Sequence, residues 1–182
     1  MMEAHDGQVR KGGAGVPYSV HPMHVAVMLA RWGLDEPTII AALLHDVVED
    51  CDDWDNARIE RDFGTHIANV VAELTEDKSL SWDERKQGAV DHVPRLSSEA
   101  CAIKAMDKLH NLESLVSQLR EADDRSVVWK RFHGGRERTL VMSEALVVAL
   151  EKRLDPRLAR ALRGGMDALL ECAQHPSSST VI

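Results

Sequence analysis

The stretch Ala41-Ala42-Leu43-Leu44-His45-Asp46-Val47-Val48-Glu49-Asp50-Cys51 decides how the chain is read. With Ile39 and Ile40 before it, it sets Leu43, Leu44, Val47 and Val48 at i, i+3, i+4 and i+7 spacing, which predicts a helix with one apolar face. Two ionisable pairs, His45-Asp46 and Glu49-Asp50, interrupt that face one turn apart. On a continuous helix His45 stacks over Glu49 and Asp46 over Asp50. Carboxylates beside leucine and valine are costly unless something positive pairs with them. No Lys or Arg occurs between Asp35 and Arg58, so a bound cation is the simplest counter-charge.

The rest of the chain reads as helices around that stretch. Pro22 fits the first turn of a helix running to about Arg31 and ended by Gly33. Asp35 or Thr38 starts the next. Asn56–Phe63 and Thr65–Leu74 are two short helices hinged at Gly64. Ser81-Trp82-Asp83-Glu84 matches a capping box whose helix ends near Val93, ahead of Pro94. Ser97-Ser98 opens a long helix with Ala102, Ile103, Met106, Leu109, Leu112 and Leu115 on its apolar face. Val127–Phe132, Gly135–Leu150 and Pro156–Cys172 close the chain. Residues 3–10 suggest a short helix and Lys11–Pro17 a glycine-rich loop. No alternating strand pattern is present. The expectation is an all-α fold of roughly nine or ten helices, one domain over residues 1–173, with 174–182 a flexible tail.

Bulk properties narrow the function. The 182 residues carry a formal charge of −8, which argues against a nucleic-acid surface. Cys51, Cys101 and Cys172 show no CxxC spacing and suit reduced thiols in a cytoplasmic protein. No apolar run approaches a membrane span. The N-terminal residues lack the apolar region of a signal peptide. Exposed apolar surface on the last helices would suit a homodimer.

The chemistry concentrates in His21, His45, Asp46 and Asp107. Two imidazoles and two carboxylates form a mixed nitrogen and oxygen set that suits Mn²⁺, Fe²⁺ or Zn²⁺. Spacing alone also allows a solvated helix edge at His45-Asp46 and a capping or core histidine at His21. Histidine ligands bind metal only when neutral, so affinity should fall below about pH 6.5. Glu49 and Asp50 would deprotonate a water next to the cation, or protonate a leaving group. As a solvated helix end the same pair needs no metal. Arg10-Lys11 reads either as a charged N-terminal segment or as a mobile cationic loop that meets a phosphate or a base. His24, His66, His92 and His133 read as surface or core histidines, and Trp54, Trp82 and Trp129 as packing residues.

Four motifs together resemble the HD-type hydrolase domain of RelA/SpoT enzymes. They are His5-x2-Gln8-x-Arg10-Lys11, Pro17-Tyr18-x2-His21-Pro22, Ala41–Asp50, and Lys104-x2-Asp107-Lys108-x2-Asn111-Leu112. The stretches Leu74–Lys78 and Glu84–Lys86 are closer to the small alarmone hydrolases, including the metazoan SpoT homologue. The resemblance implies one divalent metal, usually Mn²⁺, held by His21, His45, Asp46 and Asp107, with Glu49 and Asp50 handling water and protons. It implies Arg10 and Lys11 against base and phosphates, and Asn111 near the metal. It further implies removal of the 3′-pyrophosphate from (p)ppGpp, or from the adenosine alarmones (p)ppApp. An HD phosphatase for NADPH or a nucleoside monophosphate, and a silent alarmone-binding module, are the alternatives. Three positions depart from the family pattern. Gly12–Val16 is longer than a short linker before Pro-Tyr, Met106 replaces Ala, and Trp82 replaces a Lys near the phosphates.

Overall fold

A computed structural model describes residues 1–10 and 15–174. Lys11 and residues 175–182 of the expected tail lie outside the described residues. Gln174, assigned to the tail, instead ends the last helix. The described residues form ten α-helices and one 3₁₀ turn, and the only β pairing among them is an isolated bridge between Val9 and Pro17. The all-α expectation is borne out.

The axis of the fold is α7 (Ser98–Glu121). Ser97 caps it by accepting from the Ala100 N–H at 3.1 Å, which satisfies one of the orphan donors of the first turn. At about 1.5 Å per residue, its 24 residues reach across the whole domain. Twelve of its side chains are buried, Ile103, Met106, Leu112 and Leu119 among them. A helix buried on so many sides needs neighbours on each, and α7 packs against α10 (Pro156–Gln174), α1 (Val20–Arg31), α5 (Thr65–Leu74), α2 (Glu36–Leu44) and α9 (Gly135–Glu151). Met106 is fully buried, so its replacement of Ala is a packing change.

Local chemistry sets the boundaries. Asp35 caps α2, accepting from the Thr38 N–H at 3.2 Å and its hydroxyl at 2.5 Å. Gly33 has a φ of 80° and Gly64, between α4 (Asn56–Phe63) and α5, a φ of 92°, a region that favours glycine. Ser81 and Glu84 form the complete capping box of α6 (Trp82–His92). Arg153 gathers the carbonyls of Val93, Pro94 and Leu96 at 2.7 to 2.9 Å, fixing the 3₁₀ turn between α6 and α7.

Two expectations are overturned. Residues 3–10 do not form a helix. They turn, then pair with the segment after the glycine-rich loop, through Arg10 N–H to Val16 O and Tyr18 N–H to Gln8 O, both at 2.9 Å. The His-Asp helix is also not continuous. α2 ends at Leu44, and α3 (Val47–Asp50) starts after Asp46. The His45 Nδ1 lies 2.7 Å from the Ala42 carbonyl, the oxygen that an uninterrupted helix would offer to the Asp46 N–H. Asp46 sits at φ −98°, ψ −7°, in the sparsely populated bridge region. The regular stacking expected across the two pairs is therefore broken at its first pair. Asp50 and Asp46 keep their backbone link, at 2.8 Å.

Candidate metal centre and nucleotide cleft

α1, the α2–α3 break and α7 each bring one part of the centre. His21, in the first turn of α1 beside Pro22, is almost fully buried, as is His45. Asp107 comes from the middle of α7. His21, His45 and Asp107 each offer one ligand atom, all within 4.8 Å of one another. His21 Nε2 lies 3.1 Å from Asp107 Oδ1 and 3.6 Å from Asp46 Oδ2, and His45 Nε2 lies 3.2 Å from the same Asp46 oxygen. The four expected ligands are thus brought together. Asp46 stands to one side, with its Oδ2 also accepting from the Tyr18 hydroxyl at 2.7 Å.

The donor set fits a cation. His45 donates from Nδ1 to the Ala42 carbonyl, which leaves Nε2 as a lone-pair acceptor. That Nε2 is buried and has no hydrogen-bond donor. A buried acceptor facing carboxylate oxygens is costly unless a positive charge lies between them. Burial works against the charged form of His45, but the Asp46 and Asp107 carboxylates outweigh it and raise its pKa. Burial likewise opposes the charge on Asp107, yet the His21 hydrogen bond holds its carboxyl well below the usual range.

Side chains behind the expected ligands orient them, as supporting partners commonly do in metal sites. His21 Nδ1 meets His110 Nδ1 at 2.7 Å, and the His24 ring lies edge-on to His110. Asn111 donates from Nδ2 to Asp107 Oδ1 at 2.6 Å and accepts at Oδ1 from Arg10 at 2.8 Å. Arg10 also lies over the Tyr18 ring. The expected i,i+4 relation between Asp107 and Asn111 holds, and Arg10 reaches the same cluster.

Glu49 and Asp50 line a cleft of about 760 Å³ that opens in front of the centre, with Arg10, Tyr18, Lys78, Arg85 and Asn111 also in its walls. That size suits a nucleotide-sized ligand. Burial pushes the Glu49 carboxyl above the usual range, and its Oε2 accepts from the Glu76 N–H at 3.2 Å. Asp50 accepts from Lys78 Nζ at 2.5 Å. A lysine 28 residues along the chain therefore supplies a counter-charge where only a bound cation was expected. From beneath, Gln8 donates to the Asp50 carbonyl at 2.9 Å and is itself held by His5.

Sequence reasoning gave no role to His110, a polar interruption of the apolar face of α7, nor to the cations Lys78, Arg85 and Lys86, which entered only through the family resemblance. Their signal was their density just after a long cation-free run. Trp82 does not reach the cleft. It packs against Gly134 and under Arg138. Arg136 donates to the Ala173 carbonyl and Arg138 pairs with Asp83, so neither lines the cleft.

Fold and centre together define an HD-type metal-binding helical domain. The HD domain family model matches residues 1–133, and the chain belongs to that family. It is 43% identical over 115 residues to the guanosine-3′,5′-bis(diphosphate) 3′-pyrophosphohydrolase MESH1 of Danio rerio, covering 62% of this chain and 63% of that protein. To the Drosophila melanogaster MESH1 it is 37% identical over 134 residues, covering 70% and 74%. The alignment with the Danio rerio protein spans just under two thirds of that relative's length. A solved structure described as a metazoan ortholog of SpoT that hydrolyzes ppGpp superposes with a TM-score of 0.76 at 31% identity, over 91% of this chain and 89% of that one. The crystal structure of lmo0812 from Listeria monocytogenes superposes with a TM-score of 0.74 at 31% identity, over 85% and 99%. Among the described residues no helix is long and apolar enough to cross a membrane.

Proposed function

We propose that the chain is a metal-dependent hydrolase that removes the 3′-pyrophosphate of (p)ppGpp or (p)ppApp. The observation that carries this is the orphaned, buried Nε2 of His45 facing Asp46, beside a cation-lined cleft of nucleotide size whose wall holds Glu49, Asp50 and Asn111. The pyrophosphohydrolase names of the MESH1 relatives support it.

In this reading His21, His45, Asp46 and Asp107 hold one divalent ion, with Mn²⁺ suited to the mixed donor set. The bound ion would supply Lewis acidity and lower the pKa of water. Asn111 fixes the Asp107 carboxylate. Arg10 and Lys78 meet the negative charge of the nucleotide, and Lys11 would join them from the loop. Glu49, its pKa raised by burial, is poised to take a proton from the attacking water. The water oxygen forms a new bond to the phosphorus next to the ribose. The bond from that phosphorus to the 3′ oxygen breaks, and the 3′ oxygen leaves with the proton that Glu49 took, with Asp50 as the second carboxyl group in the cleft wall. Products are GDP or GTP, or their adenosine counterparts, and pyrophosphate.

The test supplies the protein with Mn²⁺ and ppGpp, ppApp or NADPH, and measures pyrophosphate and orthophosphate separately. Pyrophosphate from either alarmone is expected and identifies the base. Orthophosphate from NADPH alone would move the protein to the phosphatase reading. Binding without turnover across several metals would favour a silent module.

A further inference from the structure

Two small chambers adjoin the metal-ligand cluster on the side of Lys86 and Lys104, whose ammonium groups the mechanism above does not use. The first, about 140 Å³, is walled by His45, Asp46, Glu49, Asp107, Lys86 and Lys104. The second, about 120 Å³, shares Glu76, Lys86, Lys104 and Asp107 with the first. It adds Lys108 from α7 and is closed by Met142, Ser143 and Leu146 of α9. The first chamber shares Glu49 with the front cleft. Shared lining residues place the three spaces side by side around the ligand cluster.

Three ammonium groups converge there in a chain of net charge −8. Only Lys86 has its own counter-ion, with both Glu76 oxygens at 3.0 Å. Lys108 donates to the neutral hydroxyl of Ser143, itself buried, at 2.7 Å. Lys104, which walls both chambers, makes no hydrogen bond or ion pair among the described residues. The carboxylates facing the chambers are Glu76, tied to Lys86 and Arg85, and the metal-centre acids Asp46, Glu49 and Asp107. A half-buried ammonium group such as that of Lys104, with no partner, is costly, and a compact polyanion that accepts several N–H bonds would offset that cost.

We propose that this lysine-walled chamber binds inorganic pyrophosphate, with Lys104 and Lys108 as its ligands and Ser143 holding Lys108 in place. The inference rests on the hydrolase reading for its ligand. Nucleoside and 5′ phosphates occupy the front cleft, so the fragment cut from the 3′ oxygen departs on the far side, toward the lysines.

The test separates this from turnover. Pyrophosphate is titrated into metal-free, chelator-treated protein by calorimetry, with phosphorus NMR as a second readout. Lys104→Met and Lys108→Met should each weaken pyrophosphate binding about tenfold or more, the scale of one hydrogen bond to a charged group. Lys104→Arg should recover part of the loss, and Arg10→Ala should change it less than threefold. Melting curves of both Met variants verify folding, and each variant reads the same chamber independently. Pyrophosphate affinity that is lost in Arg10→Ala but kept in both Met variants would place the anion in the front cleft and overturn the proposal. So would unchanged pyrophosphate affinity in Lys104→Met with tighter Mn²⁺ binding, because Lys104 would then only balance Asp107. Alarmone hydrolysis is assayed in parallel. Lysine-dependent pyrophosphate binding without turnover would sink the hydrolase reading and leave the anion site, whereas turnover without such binding would do the reverse.

Discussion

The imidazoles of His21 and His110 meet Nδ1 to Nδ1 at 2.7 Å inside the helix bundle. One of these nitrogens must donate and the other accept. Burial, and then the neighbouring His21, hold His110 down to about 4, so it is neutral at physiological pH. For His21 to turn its Nε2 lone pair to a cation shared with Asp46 and Asp107, rather than donate from Nε2 to Asp107, its proton must sit on Nδ1, and His110 must accept it. His110 thereby fixes both the tautomer and the ring plane of His21. His110→Phe keeps the aromatic volume and removes the acceptor. It should weaken Mn²⁺ binding by about 10–100-fold, the usual cost of losing such a partner. Calorimetric titration of the variant reads this directly, and unchanged affinity would show that packing alone orients His21.

Glu49 couples activity to stability in a way that pH can separate. Burial raises its folded pKa above 4.5, so ionised Glu49 is less comfortable in the folded chain than in the unfolded one. The sign follows from linkage. At pH well below 4.5 the group is protonated in both states and contributes nothing, while above its folded pKa the folded state carries the full cost. Glu49→Gln should therefore raise Tm at pH 7, with the gain shrinking as pH falls toward 4. The same substitution should lower kcat by about 10²–10⁴, the range for a lost general base. In the parent, the acid limb of the kcat profile should lie above the ordinary glutamate range. A melting gain equal at both pH values would remove the buried charge as its cause.

Much of the architecture was legible because it rests on local rules. Ser81 with Glu84, Asp35 with Thr38, and Gly64 between two helices each carry a cap or a positive φ in their own residue types. The four residues that gather at the centre were legible through motifs, and the pairing of Asp107 with Asn111 through helical spacing. The break at His45 was not, because apolar periodicity continues through it. A side chain there competes for the Ala42 carbonyl, and periodicity does not register that contest. The counter-charge on Asp50 was hidden for a different reason. Lys78 reaches it through the fold rather than along a helix. The role of His110 was hidden because its partner ring, His21, lies 89 residues away in the sequence.

Arg153 ties α9 to the turn that sets where α7 begins. Its guanidinium donates to the carbonyls of Val93, Pro94 and Leu96, three acceptors of the 3₁₀ turn between α6 and α7. Arg153→Ala should cost about 1–2 kcal/mol, since the site is partly exposed and water recovers part of the loss. For a chain of this size that lowers Tm by roughly 3–6 °C. Arg153→Lys should recover little, because an ammonium cannot reproduce a fork across three carbonyls. Thermal melts of both variants decide it, and a lysine variant as stable as the parent would show that charge, not geometry, matters.

Arg10 links the glycine-rich loop to the metal centre. Its backbone N–H pairs with the Val16 carbonyl, and its guanidinium reaches Asn111, which holds Asp107. Truncating Arg10 removes a cation from the cleft wall but leaves Asn111 on Asp107. Arg10→Ala should therefore raise KM for the alarmone about tenfold, with a smaller change in kcat. Asn111→Ala frees the Asp107 carboxylate and should lower kcat as well as Mn²⁺ affinity. The double variant separates two arrangements. If Arg10 acts on substrate directly, its KM effect persists in the Asn111→Ala background. If Arg10 acts only by bracing Asn111, the effect of the second substitution vanishes, as expected for residues acting through one contact. Steady-state kinetics on the four proteins, with Mn²⁺ saturating each, distinguishes these outcomes. The cleft geometry predicts the first, because Arg10 lines the space in front of the centre while Asn111 already donates to Asp107 without it.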